Sequence, residues 1–157
     1  MEMGNLIIII ILITVVAIPF IILNRTNKKK KQQLIQQLEN LKTKNEQLGE
    51  IETLGKMAIA LSQTNQTLFF YKKDEEKTQQ KTINLAEFSS CKVMRSVRRV
   101  NGDTEVLDFI EIEFKPKDKN KTVQKIEIFN TDLDGQLGEE LEFTEKWSQL
   151  INQHLRK

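Results

Sequence analysis

The chain has 157 residues, enough for one small domain and a connecting segment, and its net charge is +2. The positive charge lies early, because residues 1–56 hold 8 Lys and Arg against 5 Asp and Glu, whereas residues 57–157 hold 16 against 17. A later part this close to neutral excludes the domain-wide basic surface typical of nucleic-acid-binding proteins. A single cysteine, Cys91, excludes an internal disulfide framework.

The first distinctive segment is an uncharged apolar run from Leu6 to Leu23. A membrane-spanning helix needs about 20 mostly apolar residues, so this run predicts a transmembrane anchor over residues 1–24. Lys and Arg are enriched on the cytoplasmic side of a span, and here they follow the run. We therefore expect a single-pass protein of the inner (cytoplasmic) membrane, with its N-terminus outside and its C-terminal domain in the cytoplasm.

A basic collar at residues 25–31 follows the apolar run. Lysines near an anionic leaflet each contribute about 1 kcal/mol of attraction. The residues expected to meet lipid headgroups are Arg25, Lys28, Lys29, Lys30 and Lys31. Two interpretations remain open, since the collar either only fixes the topology or also recognises a specific lipid.

Residues 32–55 are predicted to form a stalk helix. Its apolar positions alternate by four and three residues, as in a short coiled coil. The residues of this predicted seam are Leu34, Leu38, Leu41, Asn45 and Leu48. The pattern covers fewer heptads than a firm coiled-coil prediction requires. Either the stalk forms a weak parallel homodimer, or it is an amphipathic helix that lies on the folded domain or on the membrane.

From residue 56 to residue 157 the periodicity changes to that of strands separated by polar turns. The predicted strands are Met57–Ser62, Thr67–Lys72, Lys81–Leu85, Ser90–Arg98, Val106–Lys115 and Thr122–Asn130, with a loop at Asp74–Gln80. A β-bulge is predicted near Val97, and a tight turn at Asn101-Gly102. Ile126 and Ile128 are predicted to face inward, with Phe129 outward, and Lys125 to pair with Glu111 or Glu113 across the sheet.

The last predicted element is an amphipathic helix, Glu139–Leu155. Its apolar residues repeat at helical spacing and form one stripe, which must cover another surface. The stripe contains Phe143, Trp147, Leu150, Ile151, His154 and Leu155. Antiparallel strands followed by one such helix predict an α+β fold, in which a curved sheet or open barrel is closed by the helix.

Four segments carry a resemblance over residues 57–156: INLAEFSSCKV, VLDFIEIEF, KIEIFN and LEFTEKWSQLIN. In their order along the chain, the domain resembles the pleckstrin-homology-like (PH-like) fold. It is also similar to a group of uncharacterised bacterial membrane-anchored proteins with one span, a short coil and a small domain. Phosphoinositide-binding members carry basic residues in the turn between their first two strands, and the turn predicted here, QTNQ, has none.

The sequence contains no nucleophile elbow, P-loop or dinucleotide-binding motif, and its only histidine is His154. We therefore predict that the protein is not an enzyme and has no cofactor or metal. The expected function is a membrane-anchored binding or scaffold protein, which offers a strand edge or the groove beside the last helix to a protein partner. The alternative is a peripheral lipid sensor that uses the basic collar.

Overall fold

The structure is a computed structural model that describes residues 3–74, 77–100 and 104–156, without the side chains of residues 3–10, 16–24, 100 and 104. In chain order the elements are α1 (Met3–Leu41), β1 (Leu48–Leu54), β2 (Met57–Ser62), β3 (Thr67–Lys73), β4 (Thr78–Asn84), a 3-10 turn (Leu85–Glu87), β5 (Phe88–Val100), β6 (Thr104–Pro116), β7 (Gln124–Asn130), α2 (Thr131–Asp134) and α3 (Glu140–Leu155). The predicted turn at Asn101-Gly102 lies outside the described residues.

Helix α1 is continuous through the apolar run and the basic collar. Of the run, side chains are described only for Ile11–Val15, which are exposed, and the others lie outside the described set. Within the described part of the chain, no helix has the length and apolar character needed to cross a membrane. This finding overturns the predicted anchor at 1–24, together with the single-pass topology and the inner-membrane localisation.

The predicted stalk helix over 32–55 is corrected as well. Helix α1 ends at Leu41, because the carboxylate of Glu46 then closes a turn by accepting hydrogen bonds from the hydroxyls of Thr43 at 2.7 Å and Thr67 at 2.7 Å. After this turn the chain becomes β1. Gly49 lies so close to β2 that a Cβ there would meet the Cα of Gln63 at 3.2 Å, and the β1–β2 register shifts between Leu48 and Ile51.

The first sheet is an antiparallel meander in the order β1-β2-β3-β4. Its two middle strands are buried on both faces, since all six residues of β2 and residues 68–72 of β3 are buried. One face contributes Met57, Ile59, Leu61, Leu68 and Phe70 to the main core. The opposite face packs against the end of α1 in a second cluster that contains Leu34, Leu38, Ala58, Ala60, Phe69 and Tyr71.

The second sheet has the order β5-β6-β7. The register shift between Ser96 and Val97 confirms the bulge predicted there. Lys125 lies 3.0 Å from Glu111, which confirms the predicted cross-strand pair. The prediction that Phe129 faces outward is wrong, because a second register shift, beside Ile110, turns the ring inward and leaves it 1% exposed.

Two further boundaries differ from prediction. Strand β4 begins at Thr78, inside the segment predicted to be a loop, and the Asp74 amide donates to the Lys77 carbonyl at 2.9 Å where β3 ends. Strand β4 is an edge strand with alternating exposure, and this location explains why its sequence is so polar.

Helix α3 closes the core between the two sheets, and Phe143, Trp147 and Ile151 are buried as the apolar stripe predicts. The indole Nε1 of Trp147 donates to the carboxylate of Glu52 on β1 at 2.6 Å, which ties the helix to the first sheet. Two antiparallel sheets and a C-terminal helix, in this order, are consistent with the PH-like fold.

Replacing Leu38 by Ala should lower the free energy of unfolding by about 2–5 kcal/mol, because Leu38 is 0% exposed and its loss leaves a cavity between α1 and the sheet. Urea denaturation of the full chain measures this effect. The matched control is Leu137→Ala at a side chain that is 39% exposed, which should change stability by under about 1 kcal/mol. Equal losses in both variants would show that α1 is not packed on the sheet.

Candidate functional site: a polar groove beside α1

Side chains alternate across strand β3 and place neighbouring residues on opposite faces of the sheet. Phe69 and Tyr71 belong to the cluster beneath α1, whereas Leu68 and Phe70 belong to the main core. The same alternation separates the two lysines that end the strand. Lys72 is buried at 1% exposure, and Lys73 is exposed on the side of α1.

A groove of about 820 Å³ lies between α1, the β1–β2 turn and the end of β3. We call it the α1 groove. Its lining residues are Asn27, Lys30, Gln33, Leu34, Gln36, Gln37, Gly55, Lys56, Tyr71 and Lys73. The groove continues the packed interface, because Lys30 precedes Leu34 by one helical turn and lies where the apolar contact ends. Gly55 has a φ of +55° in the β1–β2 turn, a conformation that glycine adopts without strain.

Two lysines of the α1 groove are electrostatically uncompensated. Lys30 and Lys73 are exposed, and neither forms an ion pair within the described residues. The lining also contains no carboxylate. The groove therefore presents positive charge together with the donors and acceptors of side-chain amides.

Lys56 is different, because it belongs to a balanced cluster beneath the groove. Its Nζ lies 2.8 Å from Asp74 Oδ1 and 2.9 Å from Asp134 Oδ1. Lys72 reaches the same carboxylates from the inner face, at 2.7 Å to Asp134 and 3.8 Å to Asp74. We call these four residues the Lys–Asp cluster. It fastens α2, after β7, to the first sheet.

The pKa values in the Lys–Asp cluster follow from this geometry. Burial raises the pKa of Asp134, but hydrogen bonds from Lys72, Lys56 and the Asn130 amide outweigh that effect, and the pKa lies below its usual value. Burial lowers the pKa of Lys56, but its hydrogen bonds to Asp74 and Asp134 outweigh burial and raise the pKa above its usual value. Both groups are therefore charged at neutral pH.

On the side of α3 that faces β5, the edge of the second sheet that was a predicted docking place is already occupied by a side chain of the helix. The side-chain amide of Asn152 accepts from the backbone N–H of Cys91 on β5 at 3.0 Å and donates to the Cys91 carbonyl at 2.8 Å. These are the backbone groups that an added strand would pair with. Burial raises the pKa of the Cys91 thiol, which keeps it protonated and unreactive.

The structure places the predicted site residues as follows. The collar residues Arg25, Lys28, Lys29, Lys30 and Lys31 are exposed on α1, and of them Lys30 lines the α1 groove.

The residues of the predicted coiled-coil seam lie in three different elements. Leu34 and Leu38 are buried against the sheet, and Leu41 packs beside them. Asn45 lies in the turn after α1, and Leu48 begins β1 and packs against the same cluster. A homodimer through Leu34 and Leu38 would require α1 to leave the sheet of its own chain.

Sequence reasoning missed the groove residues Gln33, Gln37, Tyr71 and Lys73. The available signal was the continuous apolar character of MAIALS and TLFFY, which is typical of strands covered on both faces. Within the described residues, no group of His, Cys, Asp and Glu side chains is arranged to hold a metal ion.

Replacing Asp134 by Asn should lower stability at pH 7 by about 3 kcal/mol, because Lys72 stays buried without its closest partner. The lowered pKa means that Asp134 stabilises the fold above its unfolded pKa, near 4, and that this stability is lost as pH falls through the folded value. The urea concentrations at the unfolding midpoints of the variant and the wild type should therefore differ at pH 7 and approach each other as the pH is lowered to 2. Asp118→Asn, in the exposed β6–β7 loop, is the control, and a gap that stays constant with pH would contradict this role.

Comparison with known proteins gives two similar structures. The chain is similar to a pleckstrin homology domain from Shewanella amazonensis SB2B, with a TM-score of 0.40 and 12% identity over 76% of this chain and 96% of that one. It is also similar to a DUF1696 family protein with a pleckstrin-homology domain from Shewanella loihica PV-4, with a TM-score of 0.39 and 14% identity over 77% and 95% of the two chains. No protein-family model and no curated protein matches the sequence.

Proposed function

We propose that the protein is a non-enzymatic binding and scaffold protein that holds a segment of a partner protein in the α1 groove. The observation that carries this proposal is the groove itself, a recess of about 820 Å³ with polar walls between two elements that are packed together. A volume of this size falls within the range of ordinary ligand sites.

The walls suit a polypeptide ligand. The side-chain amides of Gln33 and Gln37 each offer donors and an acceptor, which match the N–H and C=O groups of a peptide backbone. Tyr71 is 7% exposed and contributes a mostly apolar ring to the floor. Hydrogen bonds to a peptide backbone combined with pockets for its side chains are a common way to bind an extended peptide.

The base of the α1 groove is held in place before any ligand arrives. Lys56 contacts two carboxylates and also donates to the Leu133 carbonyl at 3.3 Å. Leu34 and Leu38 fix the helix wall through the second apolar cluster. A site that is already ordered loses less conformational entropy on binding, which favours affinity.

A second candidate function is the binding of an anionic lipid surface by the collar. It is favoured by the exposure of Arg25, Lys28, Lys29, Lys30 and Lys31, which form no ion pairs within the described residues. We rank it second because the carboxamides of the groove have no use in that function.

The test is photocrosslinking from position 37. A photoreactive amino acid at Gln37 of the full chain should join one partner protein through one peptide, and the same amino acid at Gln153, exposed on α3, should not. The purified partner should then bind a Gln33→Ala/Gln37→Ala variant at least tenfold more weakly, which corresponds to about 1.4 kcal/mol. Identical crosslinks from both positions, or unchanged affinity, would contradict the proposal.

A further inference from the structure

We infer that the partner segment held in the α1 groove is an acidic peptide in an extended conformation, whose carboxylates pair with Lys30 and Lys73. This inference rests on the proposed function and specifies its partner.

The charge of the groove is local. The part of the chain after residue 56 is close to neutral, and about half of its described lysines and arginines have a carboxylate within 4 Å, as in the pairs of Lys92 with Glu113 and Lys121 with Glu87. Among the described residues, the lining of the α1 groove contains three lysines and no acid. Charge complementarity therefore requires an anionic occupant.

Two of the three lysines have no ion-pair partner among the described residues and are available to bind it. Lys56 already contacts Asp74 and Asp134, and binding a ligand through it would break those contacts. Lys73 is on the outer face because Lys72, one residue earlier, is turned inward to Asp134. Lys30 is on the helix wall opposite. The occupant therefore meets one available ammonium group on each side of the groove.

The carboxamides distinguish a peptide from a phosphate-bearing ligand. Asn27, Gln33, Gln36 and Gln37 all line the groove, and each amide has an acceptor oxygen besides its donors. A phosphodiester group offers only acceptors to these amides, whereas a peptide backbone also supplies N–H groups to their oxygens. The amides therefore favour a polypeptide among the possible anions.

Both walls are regular rows of side chains. Tyr71 and Lys73 are two residues apart on a strand, a separation of roughly 6.7 Å, and Lys30 and Gln37 are seven residues apart on a helix, about 10.5 Å. An extended peptide places every second side chain on one side at nearly the strand spacing. Because neighbouring side chains of an extended segment point to opposite sides, two adjacent acidic residues place one carboxylate toward Lys30 and the other toward Lys73.

The experiment measures the binding of a fluorescent peptide of Glu-Glu-Thr repeats to the full chain, with a peptide of Gln-Gln-Thr repeats for comparison. The Glu peptide should bind at least tenfold more tightly, and its affinity should fall as salt screens the charges. A Lys30→Glu/Lys73→Glu variant should lose that preference. A Lys117→Glu/Lys119→Glu variant, in the exposed β6–β7 loop, carries the same change in charge and should keep it.

Three results would overturn the inference. Equal binding of the two peptides would remove the requirement for acid, although a partner that still needs Gln33 and Gln37 would leave the proposed function standing. If both double-lysine variants lost the preference for the Glu peptide equally, the preference would depend on net charge and not on Lys30 and Lys73. Tighter, Lys30- and Lys73-dependent binding to phosphatidylserine vesicles than to the Glu peptide would assign the groove to lipid headgroups.

Discussion

The structure depends on one constraint, which is that strands β2 and β3 are apolar on both faces and must be covered twice. The inner face is covered by the second sheet and α3, and the outer face by the last two turns of α1. Burying an aromatic or aliphatic side chain contributes about 1.5–3 kcal/mol, and Phe69, Leu38 and Leu34 are all buried at the outer contact. The docking of α1 is therefore part of the fold, and the helix cannot be treated as a separate stalk.

The α1 groove follows from that docking. Where the apolar stripe of α1 gives way to glutamines and Lys30, helix and sheet still face each other but no longer exclude water. The Lys–Asp cluster underneath fixes the β1–β2 turn to α2. The site is therefore made by tertiary packing, and its binding and stability are coupled through the same few contacts.

Much of the domain was predictable because its strands have a two-residue period and its last helix has a single apolar stripe. Strand β2 and helix α3 were placed to within one residue. The stalk was not predicted correctly. Apolar residues that alternate by four and three positions occur in any helix with one apolar face, and this spacing does not say whether that face meets another helix or a sheet. Gly49 and Gly55 were available as signals against a helix, because glycine is a poor helix former, and in the structure they lie in a strand and in the turn after it.

The candidate site was harder to predict, because its residues come together only in the folded chain. Lys72 and Lys73 are neighbours in sequence, yet one is buried against Asp134 and the other lines the groove. The predicted membrane anchor was wrong, because none of the described helices is long and apolar enough to cross a membrane. Of the residues predicted to contact lipid headgroups, Lys30 lines the α1 groove, and it forms no ion pair within the described residues.

The most direct test of this account is hydrogen exchange of the full chain, comparing the amides of residues 34–41 with those of β2 and β3. If α1 is part of the fold, its last turns should open only with the sheet and should be protected to a similar degree. Exchange at residues 34–41 that is orders of magnitude faster, while β2 and β3 stay protected, would show that α1 is not docked. The groove, and the function proposed for it, would then have no structural basis.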